Sequence, residues 1–88
     1  MIAILTIDHP PVTSFVSTSK AKTYLMDPPW HGEMYVQVSA ATVMGEPETY
    51  LFPVDAEGNW TSSLEMEGSQ KGTLDHEQVL RDIGYEVA

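Results

Sequence analysis

Residues able to do chemistry are few in this chain, and their spacing decides what each could do. Its histidines are His9, His31 and His76. Histidines bind zinc when they converge on one point, but each of these falls in a separate turn or cap. His76-Glu77 starts like a helical metalloprotease motif, yet the place of the second histidine is taken by Leu80. There are no cysteines, which removes disulfides, thiolate metal sites and cysteine nucleophiles. Gly68-Ser69-Gln70-Lys71-Gly72-Thr73 precedes a helical pattern, where glycines can let backbone N–H groups cradle a phosphate. The phosphate-loop order is Gly-Lys-Ser/Thr, however, and here it reads Lys71-Gly72-Thr73. A turn before a capped helix is the better reading.

Carboxylates offer two further arrangements. Asp55, Glu57 and Asn59 alternate like the first ligands of a calcium loop. The sixth position of such a loop must be glycine and the twelfth glutamate; they are Trp60 and Met66, so the segment reads as a charged hairpin turn. Glu65 and Glu67 stand two apart, on one face of an expected strand. Acid–base catalysis would need one of them buried with its pKa raised, and nothing around them suggests a pocket. No Gly-x-Ser-x-Gly nucleophile elbow occurs. The expectation is a protein with no catalytic residue, metal or cofactor. Trp30, after Asp27-Pro28-Pro29, reads either as a lid on the core or as an aromatic that a stiffened loop presents to a partner. Trp60, at a strand start, reads as core.

The charge is lopsided. Thirteen acids face four bases, for a formal net charge of −9. Only Asp8, Asp27 and Glu33 lie before Gly45, against Lys20 and Lys22. The second half therefore carries nearly all of the excess. Direct nucleic-acid binding needs clustered Lys and Arg, and an anionic membrane surface attracts the same groups; neither is expected as a partner. The apolar start, Met1 to Ile7, has no basic residue before it and reads as a first strand rather than a signal segment. A cytoplasmic protein is expected.

With 88 residues, one domain spanning 1–88 is expected. The punctuation at Pro10-Pro11, Pro28-Pro29, Gly45-Glu46-Pro47, Asp55 to Asn59 and Gly68 to Gly72 leaves mostly strand-length segments between turns. Met34, Val36, Val38 and Ala40 fall on one face of a strand over 34–44, with Tyr35, Gln37, Ser39 and Ala41 on the other. Tyr50, Phe52 and Val54 continue the alternation, which predicts an antiparallel hairpin through a turn at Gly45 to Glu48. Pro53 lacks a donor, so its strand should be an edge or be bulged. Lys22 to Met26 predicts a strand pairing with 34–44, and Trp60 to Met66 a further one. Val12 to Ser17 reads as a strand, although Val12, Phe15 and Val16 would also suit one helical face.

The best-specified element is a C-terminal helix. Asp75 is placed to cap it and Gln78 to complete a capping box. Leu74 and Val79 have the spacing of a hydrophobic staple, and Glu77 suits the positive end of the helix dipole. Gly84 provides a left-handed stop, after which Tyr85 can return to Leu80. Val79, Leu80 and Ile83 make a narrow apolar stripe that must dock on the sheet. Tyr85-Glu86-Val87 reads as a last strand. The fold class is α+β: a mainly antiparallel sheet of about four to six strands with one short C-terminal helix packed on it.

Pro47-Glu48-Thr49-Tyr50-Leu51-Phe52-Pro53, the run from Gly68 to Glu77 and the ending Gly84-Tyr85-Glu86-Val87 resemble segments of small uncharacterised proteins of actinobacteria and their bacteriophages. The resemblance spans roughly the second half of the chain and carries over no functional residue. It implies a small accessory protein with an intracellular protein target, in the host cytoplasm if the gene is viral. Together with the absence of a catalytic set, it favours a non-enzymatic module that binds a protein partner. The speculative contact surface is Trp30, Asp55, Glu57, Glu65 and Glu67. Two other readings stay open. The carboxylates could imitate a phosphate row and block a nucleic-acid-binding protein, or an edge strand could make the chain a structural or assembly component that oligomerises; a monomer or a small homo-oligomer is expected.

Overall fold

A computed structural model describes residues 1–15 and 17–88. The expectation for Val16 lies outside them. The strands are β1 (Ile2–Asp8), β2 (Val12–Thr13), β3 (Ser17–Trp30), β4 (Glu33–Val43), β5 (Glu46–Val54), β6 (Gln70–Lys71) and β7 (Glu86–Val87), with the helix α1 (His76–Asp82) between the last two. They form one sheet in the order β6-β5-β4-β3-β1-β7, and β2 pairs with the start of β3 beyond β1. Pro10 and Pro11, which carry no N–H, lie where β1 gives way to β2.

The expected α+β architecture holds, with two corrections: the sheet has seven strands rather than four to six, and it is mixed. β7 lies parallel to β1, Ile2 opposite Glu86 and Ala3 opposite Val87. Parallel neighbours need a long crossover, and the chain between β1 and β7, with α1 near its end, supplies it.

Two-residue turns join the central strands. Trp30 pairs with Glu33 across His31 and Gly32, which have φ of 49° and 80°. Val43 pairs with Glu46 across Met44 and Gly45, at 50° and 82°. Positive φ at both central positions is the type I′ geometry, whose twist matches that of the strands. Asp27-Pro28-Pro29 is therefore not a turn. It lies inside β3, which is far longer than the expected 22–26, and the pairing with β4 is interrupted between Leu25 and Trp30. Proline's φ suits an extended segment once no ladder donor is needed.

The alternation of β4 divides the sheet into two faces. Val36 and Val38 are fully buried, and Ala40 nearly so, on the face that α1 covers. There Val36 and Val38 join Ala3, Tyr24, Met26, Leu51, Val79, Leu80 and Tyr85 in one core cluster. Met34 shares that parity but lies near the strand end and is 55% exposed. Gln37, on the opposite outer face, is also buried.

The helix ends much as its residues dictate. Asp75 Oδ1 accepts from the backbone N–H groups of Glu77 and Gln78. The capping box does not close through Gln78, because the Asp75 N–H donates to Thr73 Oγ1 instead. At the other end the Gly84 N–H donates to Arg81 O and the Tyr85 N–H to Leu80 O. Those bonds and a φ of 97° at Gly84 form a Schellman stop, with Tyr85 and Leu80 buried together. The Tyr85 hydroxyl then donates to the Pro28 carbonyl, fastening the last strand to the end of β3.

The strand expected over Trp60 to Met66 does not form, and the segment 60–69 is irregular. It has one isolated bridge, Trp60 to Val54, and otherwise runs as an irregular strap along the open side of β5. The Thr61 N–H donates to Pro53 O at 3.0 Å and the Met66 N–H to Leu51 O at 2.6 Å. The Leu51 N–H donates to Ser69 Oγ at 3.1 Å, and β6 takes over at Thr49 and Glu48. Pro53 pairs with Val36 without a bulge. Its carbonyl faces the strap, so its missing N–H costs no bond to β4.

Candidate functional site

Four of the five surface residues singled out from the sequence fall into two groups on opposite faces of the sheet. On the outer face, the turn after β5 folds back over β4 and β3. Asp55 holds that turn: its Oδ1 accepts from the Glu57 and Asn59 backbone N–H groups at 3.0 and 2.9 Å. These bonds, that of Asn59 foremost, hold the Asp55 carboxyl below its ordinary pKa. Gly58, at φ 84°, lets the backbone approach the sheet. A Cβ there would lie 2.8 Å from His9 Cε1 and 3.1 Å from Thr23 Oγ1. His9 Nε2 and Thr23 Oγ1 are themselves 2.8 Å apart.

This turn delivers Trp60. The indole stacks on Phe52, with ring centroids 4.2 Å apart and an interplanar angle of 21°. Its N–H donates to Gln37 Oε1 at 2.7 Å. The ring is thus fixed on one side and along one edge, yet Trp60 remains 51% exposed. Tyr50 extends the aromatic row beyond Phe52, 6.1 Å away. Glu57 stands exposed in the same turn. Trp60 is therefore not the core residue expected; Phe52 and Gln37 belong to the outer face, where a nearby ring covers them without being buried itself. The clue lay in β4 and β5, whose outer face alternates Gln37 with Phe52 and needs a partial cover.

The second group lies at the end of β3. Trp30 is partly buried against the core, edge-on to Tyr85 at 6.1 Å and to His31 at 4.2 Å. It serves as a lid, the first of the two roles set out for it, because β3 runs on through the prolines and turns only after it. Its Nε1 is buried and meets no acceptor among the described residues. His31 Nε2 approaches Glu67 Oε2 at 3.3 Å, so Trp30 and Glu67 do meet, through His31. His31, Met66 and Glu67 edge a shallow depression of about 210 Å³. Glu65 is exposed and joins neither group. Since 61–69 is not a strand, Glu65 and Glu67 form no regular row, and a phosphate-mimicking surface loses its expected framework.

A second cleft, about 160 Å³, opens between α1 and the far end of the sheet, lined by Thr18, Ser19, Lys20, Ala40, Thr42, Leu74 and His76. Its histidine and its lysine already have partners. His76 Nε2 lies 2.8 Å from Lys20 O, to which the neutral ring donates. Lys20 Nζ in turn donates to Asp8 Oδ1 and His9 O. Burial pushes the His76 pKa below 6.5, and the Lys22 and Lys20 charges act the same way; the bond to Lys20 O and the Asp75 carboxylate oppose it. The folded state therefore resists protonation of a ring that the unfolded chain protonates freely. Its contribution is complete above pH 6.5 and is lost as the pH falls through the folded pKa. His76→Gln keeps an N–H donor without titrating. It is expected to hold the melting temperature at neutral pH and to flatten the decline below pH 6.5, above the carboxylate range. Equal slopes in thermal melts of both proteins would exclude this role.

The histidines thus occupy three separate places, and no metal-binding cluster occurs among the described residues. No described helix is long and apolar enough to cross a membrane. No protein-family model matches the chain, and no curated protein or solved structure matches it either.

Proposed function

We propose that this chain is a non-enzymatic protein-binding module that docks through the outer face around Trp60. The observation that carries the reading is the indole itself, half exposed yet held by Phe52 and Gln37. An aromatic fixed before binding loses little entropy on association and makes a strong anchor. The partner surface is basic: the chain carries −9, Glu57 is exposed in the turn that leads to the ring, and an open indole face attracts Arg or Lys. The resemblance to actinobacterial and bacteriophage proteins is consistent with a host protein as that partner, met in the cytoplasm.

Capture from host lysate on immobilised protein, compared with Trp60→Ala, tests the reading. The Trp60→Ala fold should persist, since the ring lies on the surface. A partner retained by the wild type should bind the variant about thirtyfold more weakly, the loss of about 2 kcal/mol typical of an aromatic anchor. Its retention should also fall as salt rises. Equal capture by both proteins would overturn the proposal.

A further inference from the structure

The two long sides of the sheet are finished differently. On the β5 side, the outward groups of Thr49, Leu51 and Pro53 are met by β6, Met66, Ser69 and Thr61. On the β1 side, β7 reaches only Ile2 and Ala3. Beyond Ala3, no described strand pairs with the outer side of β1. An unpaired strand edge is a template for another strand, and here it is apolar. Ile2, Ile4 and Leu5 are 42%, 40% and 41% exposed, and residues 2–7 carry no charge.

We infer that the open edge of β1 pairs with β1 of a second copy of this chain, antiparallel about a two-fold axis, joining two sheets into one. Charge selects this occupant. A basic partner, attracted by the acidic second half, gains little at an edge whose one carboxylate, Asp8, is already bound to Lys20. A second copy brings the same uncharged stretch and the same neutralised end, so the seam contains no opposed like charges. Centred on Thr6, the pairing sets Leu5 against Ile7 of the other copy and covers Ile4 and Leu5 in both. It satisfies backbone groups left open on each side, and the isologous geometry closes at two subunits.

The seam is short. β7 limits it at Ala3, Pro10 and Pro11 limit it beyond His9, and the β1 register shifts between Leu5 and Ile7. Short edges with prolines and irregularities limit open-ended association, so the dimer is weak and reversible. It also differs from the Trp60 interaction in its response to salt. Two bodies of like charge repel at a distance, so screening should tighten the dimer while it loosens a basic partner.

Sedimentation equilibrium from about 10 μM to about 1 mM, at low and high salt, tests the pairing. The mass should climb from monomer toward dimer, further at high salt. Leu5→Lys should raise the dimer dissociation constant at least about tenfold by placing a charge against the apolar Ile7 of the other copy. A wild-type dilution series followed by amide chemical shifts serves independently of any variant's folding; changes should concentrate in Ile4 to Asp8. A monomer throughout, a dimer that salt dissociates, or shifts centred on Trp60 would each overturn the inference.

Discussion

Leu51→Ala should lower the unfolding free energy by about 3–4 kcal/mol, in the upper part of the usual range for a buried leucine. Leu51 is fully buried in the core cluster with Val38, Val79 and Leu80. The cost of such a truncation depends on whether the surroundings can collapse into the space. Here they are held on both sides. Val38 pairs with Leu51 on β4, while the Leu51 N–H and carbonyl are fixed outward by Ser69 and Met66. The cavity should therefore persist. For a domain of this size the loss corresponds to a melting temperature lower by more than about 12 °C. Urea unfolding followed by circular dichroism would measure it; a loss below about 1 kcal/mol would mean that the strap closes over the gap.

Gly68→Ala should cost about 2–4 kcal/mol for a related reason. Gly68 has φ 99°, where an alanine is strained by about 1 kcal/mol or more. The added methyl would also lie 2.7 Å from Ile83 Cγ2 and 3.0 Å from Leu51 Cδ1. Overfilling a packed site adds about 1–3 kcal/mol. Gly72→Ala separates the two causes: its φ is 86°, but nothing lies within 4 Å of the new atom, so only the backbone strain should appear. The Leu51→Ala/Gly68→Ala double variant should be less destabilised than the two single losses added together, by about 1 kcal/mol, because alanine at 51 removes one of the two obstructing atoms. Strict additivity in urea unfolding would assign the clash to Ile83 alone.

The parts of the fold visible in the sequence were those governed by nearby residues. The alternation from Val36 to Ala40, the Asp75 cap and the Gly84 stop each depend on a few neighbours, and each stands in the structure. The segments that misled are governed by distant contacts. Nothing in residues 61–69 repeats, so no period could announce a strap held by isolated bonds from Thr61, Met66 and Ser69. Pro28-Pro29 carries the composition of a turn, but the deciding residues were Gly32, able to take positive φ, and Glu33, which pairs with Trp30. The parallel placing of β7 depends on a crossover that ends far from where β1 began.

The candidate surface was legible to a similar extent. Asp55 and Glu57 were evident from charge alone, and both lie in the turn that presents Trp60. Asp55, however, acts on its own backbone rather than toward a partner. Trp60 was missed because an aromatic near a strand start usually packs inside. Its exposure follows from Phe52 and Gln37, which need cover on the outer face of a sheet whose only helix lies on the other. Trp30 and Glu67 do come together, through a histidine whose place was set by the unforeseen turn.

The pairing of β1 with β7 imposes an order on how the chain is built during synthesis. β3, β4 and β5 follow one another through two-residue turns, so the centre of the sheet can assemble as soon as it leaves the ribosome. Residues 2 and 3 emerge long before one of their neighbours, residues 86 and 87. A nascent chain therefore carries the outer side of its first strand's apolar end unfinished until translation reaches α1 and β7. During that interval the first strand is open to trigger-factor-like chaperones or to neighbouring nascent chains on the same message, and a pause in translation before residue 76 would prolong the exposure.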